Sequence, residues 1–170
     1  MVLLVVDTQE MIMTEELYAF DYFVDHVAKL IVSARQRGVE VIYVRHDDGA
    51  ELTNGAKGFE IYSRFSPQSN ERIFDKHFNS AFRNTGLIDY LNEKDETQIM
   101  LVGLQTEYCI DASVKCGFEH GYQMIVPALC NTTVSNDFMT AEQSYKYYNE
   151  KIWNRRYANC LGFEEALAML

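Results

Sequence analysis

Val2-Leu3-Leu4-Val5-Val6-Asp7-Thr8-Gln9 is the stretch that decides the fold. Five successive aliphatic residues without a polar alternation read as a strand buried on both faces, which is the habit of strands in parallel sheets. Asp7 follows immediately. In a parallel sheet the functional crevice opens beyond the carboxyl ends of the strands, so a carboxylate at that position is a candidate base. Its plainer reading is a helix cap or a loop acid.

Outward from this strand the rhythm repeats. From Asp21 to Arg37, Phe23, Val24, Val27, Leu30, Ile31 and Ala34 recur at helical spacing, and Gly38 supplies the stop. Val39 to Val44 reads as a second buried strand. Leu87, Ile88 and Leu91 mark a short amphipathic helix, and Gln98 to Val102 a further strand. Tyr108 to His120 reads as a helix closing at Gly121, followed by a strand from Tyr122 to Val126. Thr140 to Leu170 reads as mostly helical, with a short apolar break at Tyr157 to Leu161. Strands alternating with helices imply βαβ crossovers, hence an α/β protein with a mainly parallel sheet covered on both sides. Only Pro67 and Pro127 interrupt the chain, and no Ser/Gly linker or repeat divides it, so residues 1–170 are expected to form one domain.

Composition narrows the partners. The formal net charge of -10 and the absence of a Lys/Arg run argue against nucleic acid or an anionic membrane as partner. Six apolar residues before Asp7, without a basic flank, are too few for a signal segment, and no later stretch reaches the length of a membrane span. Cys109, Cys116, Cys130 and Cys160 form no C-x-x-C pair and read as free thiols. A cytoplasmic protein is the expectation, and no cofactor is expected. The aromatic share of 13% exceeds what the core runs use, which points to an aromatic cleft or a subunit interface.

Gly103-Leu104-Gln105-Thr106-Glu107-Tyr108-Cys109-Ile110 follows the strand from Gln98. Here a Gly-containing turn enters a helix that Thr106 can cap, which places Cys109 in the first helical turn. Unpaired N–H groups and a partial positive charge gather there, favouring a thiolate and an oxyanion. A small apolar filler is the plainer role of a cysteine. Cys116 and Cys160 read as packing, and Cys130 as a loop residue near the cleft. Lys76 sits between the apolar pairs Ile73-Phe74 and Phe78 with Phe82, an odd setting for a solvated charge. A cation there would depress the pKa of a nearby thiol.

Together Leu4 to Gln9, Lys76 with Asn79-Ser80-Ala81-Phe82, and Gly103 to Cys109 resemble the isochorismatase-like cysteine hydrolase superfamily, which includes nicotinamidases and related amidases. The three pieces stand in the family's order across nearly the whole chain. The resemblance implies a single three-layer α/β/α domain with about six strands and an Asp-Lys-Cys triad at Asp7, Lys76 and Cys109. It also implies a non-proline cis peptide before Gln105, which turns the amides of Gln105 and Cys109 toward one oxyanion. Arg45-His46-Asp47-Asp48-Gly49 and Gly58-Phe59-Glu60-Ile61 look like the small, functionally ill-defined hydrolases of the superfamily. Gln9, Phe59, Thr106 and Tyr108 become candidates for shaping the substrate pocket.

The chain departs from the family's better-known members. The Asp-x-His metal motif of nicotinamidases is incomplete, since the comparable stretch is Arg45-His46-Asp47-Asp48 and the next histidine is His77. No metal is therefore expected, and His46 reads as a loop or cap residue. Pro127-Ala128 replaces a usual Asp-Ala pair, and Ile12 a usual aromatic residue. True isochorismatases lack the cysteine, so Cys109 disfavours vinyl ether hydrolysis. The implied activity is cleavage of a C–N bond in a small amide through a Cys109 thioester. The alternatives are an isochorismatase-type hydrolase and a family member that has lost catalysis and acts in binding or regulation. A receiver-like domain would need a second acid beside Asp7, and a nucleotide-binding module a glycine-rich loop; both are absent. The resemblance implies a homo-oligomer, a dimer or tetramer, for which Tyr145, Tyr147, Tyr148 and Trp153 are interface candidates.

Overall fold

The computed structural model describes residues 1–170. Seven strands form one sheet: β1 (Val2–Val6), β2 (Glu40–His46), β3 (Arg72–Lys76), β4 (Gln98–Leu104), β5 (Gln123–Pro127), β6 (Asn131–Thr132) and β7 (Asn159–Leu161). Their order is β3-β2-β1-β4-β5-β7, with β6 beside the far end of β4, and every strand pairing is parallel. Five α-helices accompany them: α1 (Phe20–Arg37), α2 (Leu87–Glu93), α3 (Asp111–Glu119), α4 (Ala141–Lys146) and α5 (Phe163–Met169). None is long and apolar enough to cross a membrane.

The unbroken aliphatic run of β1 has its physical explanation in two cores. Leu3 and Val5 pack with Phe23, Val27, Leu30 and Ile31 of α1 and Ala166 of α5. Val2, Leu4 and Val6 point the other way, into a core with Leu87 and Leu91 of α2, Val114 of α3 and Trp153. Each strand face is thus apolar because each is covered, the defining economy of a doubly covered parallel sheet.

Several expectations are refined. The second strand runs on to His46, two residues past Val44. The stretch holding Lys76 is itself a strand, β3, which pairs only with β2 and leaves most of its side chains exposed. An edge strand with charged and apolar residues in alternation carries little hydrophobic signal. The apolar break in the tail is β7. The third long helix opens as a π-helical turn, Thr106–Ile110, before α3 begins. Thr106 does not cap it; its Oγ1 donates instead to Asn131 Oδ1 at 2.8 Å. Cys130 lies in the turn after β5, where its carbonyl accepts from Gly103 N at 2.9 Å and its side chain is fully buried in the core that α1 covers.

Candidate active site

Strand order reverses between β1 and β4: the chain proceeds from β1 outward through β2 and β3, then returns to lay β4, β5 and β7 on the other side. A parallel sheet opens its crevice at such a switch point. Asp7 leaves β1 there with a left-handed backbone (φ 54°), and its N–H donates to Val44 O at 2.8 Å. Aspartate tolerates this conformation better than most residues, because its short polar side chain bonds locally. Gly103 of β4 lies against the same spot. A Cβ on it would fall 2.0 Å from Val6 O, and its φ is 132°. Only glycine lets β1 and β4 close together just where Asp7 and Gln105 emerge.

Lys76 ends β3, and register places it beside His46 at the end of β2. Its side chain is fully buried and runs under the strand ends toward Asp7. Lys76 Nζ lies 2.7 Å from Asp7 Oδ2, 2.9 Å from His46 Nδ1 and 3.2 Å from Cys109 Sγ. The sequence trio of Asp7, Lys76 and Cys109 is therefore brought together. A fourth group, His46, joins them where a loop or cap residue was expected. The signal that could have found it is the rule that exposed Asp7: His46 is the last residue of its strand.

Electrostatics shape the resting state. Burial raises the carboxyl of Asp7 above its ordinary value, against the lowering pull of Lys76 and of Cys109. Burial, and then the nearby Asp7 carboxylate, push the Cys109 thiol up to about 12, although Lys76 pulls it down. This corrects the expected depressed thiol: Lys76 acts in the predicted direction, but desolvation and a neighbouring negative charge outweigh it. Cys109 rests as a thiol, beside a carboxylate whose Oδ1 is buried without a hydrogen-bond partner.

Past the Leu104–Gln105 peptide bond, which is cis, the backbone N–H of Gln105 donates to no group within the protein. The turn is fastened from behind: Ser113 Oγ donates to Cys109 O at 2.6 Å and accepts from Ala81 N at 2.9 Å. The Asn79-Ser80-Ala81-Phe82 stretch thus braces the cysteine turn.

The four pocket candidates fare unequally. Gln9 is buried and both ends of its amide hold the backbone of His46: Oε1 accepts from its N–H at 2.7 Å and Nε2 donates to its C=O at 3.0 Å. Phe59 is fully buried beneath the Arg45 guanidinium, 4.5 Å from its ring centre. Thr106 is fully buried in the Asn131 hydrogen bond already described. In all three the polar or ring surface is engaged inside the protein. Tyr108 remains 52% exposed, beside a cavity of about 380 Å³ lined by Phe138, Tyr147 and Tyr148. Of the interface candidates, Trp153 and Tyr145 are buried within this chain, where Trp153 Nε1 donates to Asp111 Oδ1 at 2.8 Å.

Asp7, His46 and Cys109 each offer a metal-type donor, all within 4.8 Å of one another. The Lys76 ammonium stands among them and takes a contact from each, so the place of a cation is filled and the donors do not fit a metal. Asp47 and Asp48 each commit one oxygen, Oδ1, to the loop: that of Asp47 accepts from Gly49 N and Thr53 Oγ1, and that of Asp48 from Ala50 N and Leu52 N. A larger cavity of about 650 Å³ lies at the opposite end of the sheet, where Arg35 pairs with Glu71 and Lys94 with Glu40.

A parallel α/β sheet with a buried carboxylate–ammonium pair beneath a thiol at its switch point defines the class. The chain belongs to the isochorismatase family, matching the Isochorismatase domain over residues 1–150. It is 28% identical over 129 residues to the uncharacterized isochorismatase family protein YddQ of Bacillus subtilis (strain 168), spanning 72% of each chain. It is 34% identical over 65 residues to the maleamate amidohydrolase of Pseudomonas putida (strain KT2440), covering 38% of this chain and 30% of that one. Its fold superposes on the crystal structure of an isochorismatase family protein with a TM-score of 0.88 at 28% identity, covering 94% of this chain and 96% of that one.

Proposed function

We propose that this protein is a cysteine amidohydrolase that cleaves a C–N bond in a small, non-peptide substrate. The observation that carries the reading is the convergence of the Asp7 carboxylate and the Cys109 thiol on one buried ammonium, that of Lys76. The amidohydrolase activity named for the Pseudomonas relative supports the choice of bond.

Cys109 is protonated at rest, so attack needs a base. As the sulfur bonds to the substrate carbonyl carbon, Asp7 takes the thiol proton, and the C=O electrons move onto oxygen. The N–H groups of Gln105 and Cys109 receive that oxyanion. Protonated Asp7 then gives its proton to the departing nitrogen as the C–N bond breaks, leaving a thioester on Cys109. Water, giving a proton to Asp7, attacks the thioester, releases the acid and returns the thiol. Lys76 stays paired to the negative charge wherever it resides, on carboxylate or on sulfur. General acid–base assistance typically contributes about 10²–10⁴-fold, and one oxyanion donor about 10²–10³-fold.

The test is a screen for ammonia or amine release over small primary amides, carbamates, ureido acids and lactams, with Cys109→Ala as control. Wild-type turnover of at least one substrate is expected, with Cys109→Ala at background and its circular dichroism unchanged. Full activity in Cys109→Ala would end the covalent mechanism.

A further inference from the structure

The Lys76 ammonium has three N–H bonds and three acceptors: Asp7 Oδ2 at 2.7 Å, His46 Nδ1 at 2.9 Å and Cys109 Sγ at 3.2 Å. An ammonium has no lone pair, so the contact to His46 works only if Nδ1 is the bare nitrogen and the ring proton sits on Nε2. Gln9 fixes the backbone of His46 on both sides, through its N–H and its C=O. The ring is thus placed by strand register, by a buried amide clamp and by its ammonium contact.

We propose that His46 is a positioning residue for the cysteine chemistry: as the third acceptor it stops rotation of the Lys76 ammonium, so that one N–H stays aimed at the Cys109 sulfur. With only Asp7 and the sulfur as acceptors, the ammonium turns about its Cε–Nζ bond and the weak acceptor, sulfur, loses the contact first. A thiolate forming on Cys109 then meets a poorly directed cation. The groups that face His46 are Asp7 from β1, Lys76 from β3, Cys109 from the π-helical turn, and Asp47 and Asp48 from its own loop. Burial and Lys76 hold the imidazole below its ordinary pKa against the three acids. A neutral ring, able to accept from Lys76, follows across neutral pH.

The inference concerns the reactivity of the thiol and is tested without any substrate, so it stands or falls apart from the amidohydrolase reading. The experiment measures alkylation of Cys109 by iodoacetamide from pH 6 to 10, resolved from Cys116, Cys130 and Cys160 by peptide mass. His46→Ala and His46→Asn are compared with wild type. Asparagine carries its Oδ1 close to the position of Nδ1 and so restores the acceptor. Expected is about a tenfold slower alkylation at pH 8 in His46→Ala, the size of one charge-assisted hydrogen bond. The slowing should hold across pH 6 to 10, where the thiol stays protonated, and His46→Asn should return the rate close to wild type. A wild-type rate in His46→Ala would overturn the proposal, as would a His46→Asn variant that folds by circular dichroism yet is as impaired as His46→Ala. Ammonia release absent from wild type, with the alkylation pattern as expected, would leave His46 in its role and remove only the proposed activity.

Discussion

Two buried polar clusters flank the carboxyl end of β4, and they are built on opposite principles. On one side Lys76 and Asp7 face each other with Cys109 and His46 around them. On the other side Thr106, Asn131 and Asn149 form a neutral set. Thr106 Oγ1 donates to Asn131 Oδ1 at 2.8 Å, Asn131 Nδ2 to Asn149 Oδ1 at 2.9 Å, and Asn149 Nδ2 to Asn131 Oδ1 at 3.0 Å and Tyr145 O at 2.9 Å. The neutral cluster is closed, its side-chain amides and hydroxyl committed to one another. The ionic cluster leaves Asp7 Oδ1 without a partner and a proton on sulfur. A closed network can only hold structure; an open one at the same depth gives a proton somewhere to go.

That contrast can be broken by deleting one partner on each side. Lys76→Met strands the buried Asp7 carboxylate and should cost about 3–5 kcal/mol of unfolding free energy, read by urea denaturation. Adding Asp7→Asn to it should regain a large part, because no unpaired charge remains. If Lys76→Met matches wild type in stability, the pair is not the buried ion pair described. Asn149→Leu should cost less, about 1–3 kcal/mol for the amide partners it leaves behind. The pH profile of Cys109 alkylation should stay that of wild type. A shift in that profile would mean the two clusters are coupled.

The smallest effect lies in the alkaline range. A thiol pushed from 9.0 up to about 12 by folding keeps its proton in the native chain after the unfolded chain has lost it. Its contribution to stability is therefore complete below pH 9 and is lost as pH rises toward 12. Cys109→Ala removes that linkage, so its stability should fall less steeply than that of wild type between those limits, by about 1 kcal/mol at pH 10. Equal slopes would show that Cys109 is no more protected from ionisation than a thiol in the open chain.

Much of this was legible in the chain. The run Val2 to Val6 announced its double burial, and α1 begins one residue before the periodicity of Phe23 to Ala34 suggested. Asp7 and Cys109 could be suspected because each follows a recognisable strand. Lys76 stands out by its apolar flanks, though its own strand gives little hydrophobic signal, since β3 lies at the edge and buries little. His46 escapes for a related reason: the buried run of its strand ends at Val44, two residues before the strand does. The hydrogen-bonding capacity of Gln9 and Thr106 is visible in sequence, whereas the partners that engage it, the His46 backbone and Asn131, are not.

The sequence by itself determined the doubly covered parallel sheet, the placement of Asp7 and Cys109 at strand ends, and membership of the isochorismatase family. Only the tertiary structure decided that β3 lies beside β2 in a register pairing Lys76 with His46, that Gly103 lets β1 and β4 close, and that the thiol rests protonated. The division has a physical cause. Strand burial is a local property of side chains along the chain, whereas a hydrogen-bond partner and the depth of desolvation belong to residues far apart in sequence, and become defined only when the sheet is assembled.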